Sequence, residues 1–429
     1  FMFEVAAKDE ADRALALSGD SLVFERRERR GRAEGRPALD GAGFKAAAAA
    51  ASFVASPDGS SLDSAVFEGA AEAVFEGEGA AGEGRGEVRA ERIAVTFSRD
   101  PYGFAIKASH DTVLDIRPVP ENNVVVRAPE ILLAVSPGNH IPTWEATGGF
   151  RAEAAPAGGP RWTIEGERVH SDGGALYAYG RPGKAAVADS VEARIEAPRI
   201  LIATGSQDIL ASEGVTGVLK GGEGRRRIGF FSSLEDVTFA CRTLEFLFEG
   251  SVYLLTGNVL VGQGPNTLRA SEIEFAGTAG RTSGTGGVAI TLTEAAQGGQ
   301  ARTVEMGGQA MAYRPDLRTL RLTTKAFVKL PEARLDAGTV TAAIGREDRG
   351  VESLTAAGGV VVTKGEYTGR AEAAAYDAAA GRITLTGHPV LTDLEGGSAR
   401  GDRLTFDLAD DKILVENEGS GRSTTVIKS

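Results

Sequence analysis

Histidine is the side chain most often found as a metal ligand, and three of the four histidines in this chain are evenly spaced. His110, His140 and His170 follow one another at equal intervals, with His388 as the fourth. Their neighbours read SHD, NHI and VHS, and neither a cysteine nor a pair of carboxylates stands beside them at metal-site spacing. We interpret the spacing as coincidence, and we predict no metal site and no cofactor.

Carboxylates could carry hydrolytic chemistry if two of them met in space, as in enzymes that cleave polysaccharides. The sequence contains no G-x-S-x-G, H-E-x-x-H or P-loop motif. Glu272, Glu274, Glu372, Asp402 and Asp407 fall mainly on the polar positions of alternating segments or at their ends. This placement favours a solvated outer face. We therefore predict that the protein is not an enzyme, and a polysaccharide-active β-helix enzyme remains as an alternative.

The single cysteine, Cys241, cannot form an intrachain disulfide. It lies in the apolar segment Val237–Phe248, which predicts a small buried hydrophobic side chain rather than a reactive thiol. One cysteine is compatible with the cytosol and equally with an exported protein that needs no disulfides. Cysteine usage therefore leaves the compartment open.

The charge balance limits the possible partners. The formal net charge is −12 and the pI is about 5.1, whereas nucleic-acid binding requires basic surfaces. The local charged clusters Glu25–Arg30 and Arg225–Arg227 are interpreted as solvated turns or faces. No segment approaches the ~18 apolar residues of a membrane span. We predict no nucleic-acid partner.

The elements that must position these residues are β-strands. Segments such as Arg382–Thr386 and Asp402–Leu408 alternate apolar and polar residues, which gives a strand one dry and one wet face. Glycine makes up 57 of 429 residues, about 13% against a usual ~7%, and we expect it at many tight turns. Strand and turn signals recur every ~10 to 16 residues, which favours antiparallel meanders. We predict an all-β fold with a divergent region at 1–230 and a regular repeat region at 231–429.

The chain repeats itself at an offset of 101 residues. Residues 257–275 (GNVLVGQGPNTLRASEIEF) align without a gap with residues 358–376 (GGVVVTKGEYTGRAEAAAY), and seven of nineteen positions are identical. The pattern restarts at the same distance into each copy, at Gly286-Gly287 and at Gly387-His388. Short repeated strand–turn–strand units build an extended β surface, which commonly serves for binding.

These repeats resemble a known family. The segment Gly358–Val362 is followed by Arg370–Asp377, then by GRITLTGHPVL at 381–391, and then by Arg400–Asp407. In this order they resemble the OstA-like family of lipopolysaccharide-transport proteins, which includes LptA, LptC and the N-terminal part of LptD. The resemblance is close over 350–416, fair over 250–292 and weak before 230.

The resemblance implies an elongated antiparallel β-jellyroll, in which a folded sheet shields the acyl chains of lipopolysaccharide. It implies a periplasmic protein of outer-membrane biogenesis, attached to a membrane only through a segment absent from this chain. Its partners would be lipopolysaccharide, the inner-membrane ABC exporter, and the outer-membrane translocon or other jellyrolls that bind by edge-strand addition. A homo-oligomer is compatible with this mode of assembly.

Alternation and the resemblance together predict the lining of the lipid groove. The predicted inner-face residues are Val259, Val261, Ile273, Phe275, Val360, Val362, Ile383, Leu385, Leu404 and Phe406. The same pattern is also compatible with a structural or adhesive β-solenoid whose core is packed, since inward apolar residues serve either purpose.

Overall fold

The computed structural model describes most of the chain. The described residues are 2–5, 15–41, 43–58, 61–79, 82–99, 102–119, 122–135, 143–155, 159–222, 228–231, 234–276, 280–294, 302–345, 350–408, 410, 412–417 and 424–426. Within them every regular element is a β-strand, and no helix that could cross a membrane occurs. The chain divides into two units, Phe1–Glu213 and Gly214–Ser429.

The described residues of unit 1 form eighteen strands. They are β1 (Met2–Val5), β2 (Leu15–Ser18), β3 (Ser21–Glu25), β4 (Arg30–Glu34), β5 (Ala38–Gly41), β6 (Phe44–Ala47), β7 (Ala50–Ala55), β8 (Leu62–Gly79), β9 (Gly82–Arg99), β10 (Tyr102–Val119), β11 (Asn122–Val135), β12 (Thr143–Ala155), β13 (Trp162–Ser171), β14 (Ala175–Tyr179), β15 (Ala186–Asp189), β16 (Ala193–Ala197), β17 (Arg199–Ala203) and β18 (Ile209–Ser212).

In unit 2 the described part of the chain forms seventeen strands. They are β19 (Val215–Leu219), β20 (Val237–Cys241), β21 (Thr243–Leu247), β22 (Val252–Gln263), β23 (Asn266–Ala276), β24 (Arg281–Glu294), β25 (Arg302–Arg314), β26 (Thr319–Lys329), β27 (Arg334–Ile344), β28 (Val351–Lys364), β29 (Tyr367–Asp377), β30 (Arg382–Thr386), β31 (Val390–Thr392), β32 (Ser398–Arg400), β33 (Arg403–Asp407), β34 (Lys412–Glu416) and β35 (Thr424–Val426).

Long central strands and divided ends characterise unit 1. Two half-sheets, β1–β2–β5–β6 and β3–β4–β7, converge on different parts of β8. Strands β8 to β13 then pair in sequence order. Beyond them β13 pairs with both β14 and β15, which continue as β14–β17–β18 and β15–β16. Each of these pairings is antiparallel.

Unit 2 has the same plan. Strand β19 pairs with β20, and both β20 and β21 pair with β22, after which β22 to β29 pair in sequence order. Strand β29 then divides its pairing between β30–β33–β34 and β31–β32–β35. These pairings are also antiparallel, so the predicted all-β antiparallel fold of strand–turn–strand units is confirmed.

A row of bulges crosses the long strands near their middles. The β22–β23 register shifts between Thr256 and Val259, and the other neighbouring pairs from β23 to β29 shift at corresponding places. On every second strand the bulge contains two successive residues with positive φ: Gly257-Asn258, Gly286-Gly287, Thr324-Lys325 and Gly358-Gly359. A bulge bends its strand, so a row of bulges folds the sheet along one line. We call this line the corner.

The corner corrects the interpretation of the repeated glycines. Gly264 and Gly365 lie at the turns after β22 and β28, as the sequence predicted for glycine. Gly257 and Gly358 lie in the middle of their strands, where the prediction of a turn is wrong. The error arises because a left-handed backbone serves a tight turn and a bulge equally well, and local sequence does not distinguish them.

Candidate functional site

The ten predicted inner-face residues all lie in unit 2, and all ten side chains are buried. Their exposed fractions range from 0% for Val261 and Phe406 to 5% for Phe275. Each is flanked along its strand by residues that are more exposed, as expected for side chains that alternate between two faces. They therefore face the interior, and their predicted role in lipid binding remains a prediction.

Strand register joins two of these residues into a continuous apolar row on one side of the corner. Each member of the row pairs directly with the next one on the neighbouring strand. The row runs Val261, Leu268, Ile290, Met306, Val328, Leu335, Val362, Gly369 and Leu391. It crosses the strands without an ionisable residue, so it presents a uniform apolar surface.

Two further rows lie on the other side of the corner. One runs Leu255, Ile273, Gly284, Met311, Leu322, Val340, Ala356, Ala374, Leu385 and Leu404. The other runs Tyr253, Phe275, Thr282, Tyr313, Leu320, Ala342, Leu354, Tyr376, Ile383 and Phe406. Together they contain six of the ten predicted residues.

Small side chains lie closest to the corner. On one side of the corner, the buried positions next to the bulges include Val259, Ala270, Val288, Ala326 and Val360, each no more than 7% exposed. Where a folded sheet turns on itself, its two inner faces come together and leave less room for side chains. The rows farther from the corner contain Phe275, Tyr313 and Phe406, which need more space.

Two buried polar side chains were missed by sequence reasoning. Gln263 and Lys364 end strands β22 and β28, are 5% and 7% exposed, and are separated by the same 101 residues as the repeat. Gln263 Nε2 donates to the carbonyl of Glu235 at 3.0 Å, and Lys364 Nζ donates to that of Asp407 at 2.9 Å. The repeat alignment contained the signal, because both residues continue the inward parity of their strands.

The structure also places the residues considered for chemistry. None of the carboxylates Glu272, Glu274, Glu372, Asp402 and Asp407 is buried, which confirms their position on the outer face. Asp407 accepts a hydrogen bond from Arg382 Nε at 3.0 Å. The paired charges lie outside the apolar interior.

The histidines have separate surroundings. His110 lies at a bulge of β10 with φ of 66°, and the His170 ring stacks on Tyr177 with centroids 4.6 Å apart. His388 Nδ1 is 3.8 Å from a Glu372 carboxylate oxygen, and His140 is outside the described residues. Among the residues that the structure describes, no group of three or more His, Cys, Asp or Glu side chains could hold a metal ion.

A family-model match lies in the C-terminal part of unit 2. Residues 331–412 match the family model described as "LptA/(LptD N-terminal domain) LPS transport protein". Over this segment the chain is similar to the LptA/LptD N-terminal family. The resemblance seen in the sequence is thus confirmed there, and the matched segment includes Val360, Val362, Ile383, Leu385, Leu404 and Phe406.

One solved structure that matches is LptH from Pseudomonas aeruginosa, titled the LptA homologous periplasmic component of the conserved lipopolysaccharide transport device. The identity is 14% and the TM-score 0.26, over 29% of this chain and 95% of LptH. No curated protein matches the chain.

The family segment shares its apolar rows with strands outside it. The LptA/LptD match begins at residue 331, close to the start of β27, whereas the row through Val261 already spans β22 to β26. The remaining predicted residues, Val259, Val261, Ile273 and Phe275, therefore lie on the same inner faces as the matched ones.

Unit 1 has an apolar cavity of its own. The cavity has a volume of about 40 Å³ and lies where β11 and β12 approach β13, β14 and β17. Its apolar lining includes Val124, Ala154, Trp162, Leu176 and Ile202. Asn123, Thr204 and Gln207 also line the cavity, so its surroundings are apolar with a polar part.

Proposed function

We propose that this protein is a periplasmic bridge component that binds lipopolysaccharide and passes it toward the outer membrane. The acyl chains lie between the two apolar faces of unit 2, while the sugars stay in water. The observation that carries the proposal is the coincidence of the LptA/LptD family segment with the uninterrupted apolar rows through Val362 and Leu385.

The physical basis is the cost of exposing acyl chains to water. Each CH₂ group removed from water contributes about 0.8 kcal/mol, so a lipid with several chains does not cross an aqueous gap unaided. A row of similar aliphatic side chains gives similar affinity at successive positions, which lets the lipid move without stalling. The direction of movement must then come from an energy source outside this chain.

Acyl chains enter this interior only if its two faces separate. The ten predicted residues are at most 5% exposed, so in this structure they contact protein rather than solvent. An inserted chain exchanges contacts between side chains for contacts with hydrocarbon, and the interior stays dry. Transfer of the lipid from one such apolar interior to another then changes the free energy little, because the acyl chains stay out of water at both ends.

Edge strands support the proposed assembly. Strand β34 pairs with β33 on one side, and Leu414 on β34 is 53% exposed. An exposed apolar edge strand is suited to pairing with a strand from another chain. The proposed partners are the inner-membrane ABC exporter, the outer-membrane translocon, other jellyroll proteins, or a second copy of this chain.

Site-specific photo-crosslinking tests the proposal. A photoreactive residue at Val360 or Phe406 should capture lipopolysaccharide, because both side chains face the interior. Val361 and Thr405, their neighbours on the same strands, are only half-buried and serve as matched outward controls. Capture from the control sites alone, or from no site, would show a packed structural core and reject the transport proposal.

A further inference from the structure

A basic hairpin lies in unit 1 of this acidic protein. Strands β3 and β4, the turn between them and the two residues after β4 carry six arginines, namely Arg26, Arg27, Arg29, Arg30, Arg32 and Arg36. Three glutamates, Glu25, Glu28 and Glu34, leave this hairpin with a formal charge of 6 − 3 = +3, whereas the whole chain carries −12. We call residues 21–36 the basic hairpin.

Most of these arginines are available to a partner. Arg32 Nε lies 3.1 Å from Glu34 Oε1, which neutralises one of the charges. Arg26, Arg27, Arg30 and Arg36 are exposed, and none of the four makes an ion pair with any residue that the structure describes. Four exposed guanidinium groups therefore lie on one hairpin, although Arg30 is directly opposite Glu25 in the β3–β4 register.

Apolar side chains accompany the charges. Val23 lies directly opposite Arg32 in the β3–β4 pairing and is 66% exposed. Phe24 is 38% exposed, and its ring stacks on Phe53 with centroids 6.0 Å apart. Val23 is already exposed, so it gives up no packing contact if it enters hydrocarbon. The hairpin therefore presents an apolar side chain beside its cationic ones.

The tip is held in place by the backbone. Glu28 N donates to the Glu25 carbonyl at 3.1 Å, and Ala55 N at the end of β7 donates to the Arg29 carbonyl at 2.9 Å. The arginines are thus presented by an ordered turn, and binding does not have to order the backbone first.

We propose that the basic hairpin docks this protein on the surface of an anionic lipid bilayer. Clustered Lys and Arg residues are attracted to acidic lipid headgroups, and guanidinium groups bind phosphates through paired hydrogen bonds. Val23 inserts at the boundary between headgroups and acyl chains. An acidic protein surface would offer the negative charges but no such apolar layer. This inference does not depend on the proposed transport function.

Vesicle flotation of the full chain tests the docking proposal. The intact protein should bind vesicles of phosphatidylcholine mixed with phosphatidylglycerol, and should not bind pure phosphatidylcholine vesicles. Replacing Arg26, Arg27 and Arg30 by serine together should weaken binding on the order of 100-fold, and high salt should weaken it similarly. Val23→Ser should weaken binding by about tenfold or less.

A charge-matched variant separates the hairpin from net charge. Arg127, Arg151 and Arg168, exposed arginines of unit 1 that lie near glutamates, are replaced by serine together. This control should keep at least most of the binding, with folding of all variants checked by circular dichroism.

Five results would overturn the proposal. They are binding to both vesicle types alike, no binding at all, an equal loss in the control variant, tighter binding to a polyglutamate peptide than to the vesicles, and undiminished vesicle binding by the hairpin variant.

Discussion

Gly257 and Gly358 occupy equivalent bulges on strands β22 and β28 of unit 2, and both have a left-handed backbone. Their φ angles are 81° and 85°, and the following residues, Asn258 and Gly359, are left-handed as well. The strands β22 and β28 that contain them run in the same direction, because six antiparallel steps restore the orientation. The 101-residue repeat in the sequence therefore corresponds to two equivalent bulges along the corner.

The shorter echo has the same origin. The sequence interval from Gly257 to Gly286 equals that from Gly358 to Gly387, and Gly286 and Gly387 have φ of 79° and 80°. Each such interval moves two strands along the sheet, from β22 to β24 and from β28 to the end of β30. The number of residues between other successive bulges differs because the hairpin turns differ in length. Only some bulges are therefore separated by equal intervals in the sequence.

The first prediction concerns the corner. Alanine at Gly286 or Gly287 must adopt positive φ, which costs about 1–2 kcal/mol of folding free energy for a residue with a Cβ. A Cβ at Gly286 would also lie 2.5 Å from Ser271, whereas one at Gly287 meets nothing within 4 Å. Urea unfolding should show both variants destabilised, with Gly286→Ala clearly the less stable.

Ser271 provides the control for this prediction. The Ser271→Gly change removes the Cβ that would collide, although it also removes the 2.7 Å hydrogen bond from Ser271 Oγ to the Gly286 carbonyl. In the Gly286→Ala background this second change should cost less than it does alone. Simple additivity of the two changes would show that no collision occurs.

The second prediction concerns the interior. Phe406 is 0% exposed, and truncation to alanine should lower the free energy of unfolding by about 3–5 kcal/mol through lost burial and the cavity left behind. Leu414, on the adjacent strand β34, is 53% exposed and should tolerate alanine at a cost below about 0.5 kcal/mol. Equal losses in denaturant unfolding would contradict the inward orientation of Phe406.

The third prediction concerns the buried polar ends of the repeat. Lys364→Leu removes the donor to the Asp407 carbonyl and should destabilise the protein by about 1–3 kcal/mol. Lys364→Gln installs the residue found at the equivalent position 263, where the amide donates to a backbone carbonyl. The glutamine variant should therefore be the more stable of the two in thermal unfolding, and the reverse order would show that the hydrogen bond is unimportant.

The fourth prediction concerns Cys241. Burial raises the pKa of its thiol to about 11, so the thiol remains protonated at pH 8 in the folded protein. Alkylation by a maleimide at pH 8 should then be slower than in the unfolded protein on the order of 100-fold, since only the thiolate reacts and the unfolded pKa is about 8.5. Comparable rates in the two states would contradict it.

The same shift predicts a dependence of stability on pH. Because folding raises the pKa of Cys241, it favours the protonated thiol, and this stabilisation is complete below the unfolded pKa of about 8.5. It is lost as the pH rises from there toward about 11. A Cys241→Ala variant should lack this part of the alkaline loss of stability in denaturant titrations.

Alternation within single strands was sufficient to predict which side chains face inward. Ile383 and Leu385 on β30, and Leu404 and Phe406 on β33, were assigned from the sequence and are all buried. The assignment succeeds because the two-residue period is a property of each strand alone. The family resemblance over the C-terminal segment was equally readable, since its motifs are local.

Other features required the folded chain. Register brings Leu385 opposite Leu404, and it joins Val261 to Val362 through five intervening strands. Nothing in either segment specifies these partners, because register depends on the turns and bulges between them. The repeated glycines of the corner could be identified from the sequence, but their position in the middle of strands could not.

The sequence by itself determined an all-β protein, the face of each regular strand, and a segment that resembles the lipopolysaccharide-transport family. Only the tertiary structure decided that the repeated glycines belong to the row of bulges at the corner and that the apolar faces form continuous rows. It also decided that the arginines near Val23 share one ordered hairpin. The physical reason is range. Side-chain alternation acts between immediate neighbours along a strand, whereas the pairing of strands depends on every turn and bulge that lies between them.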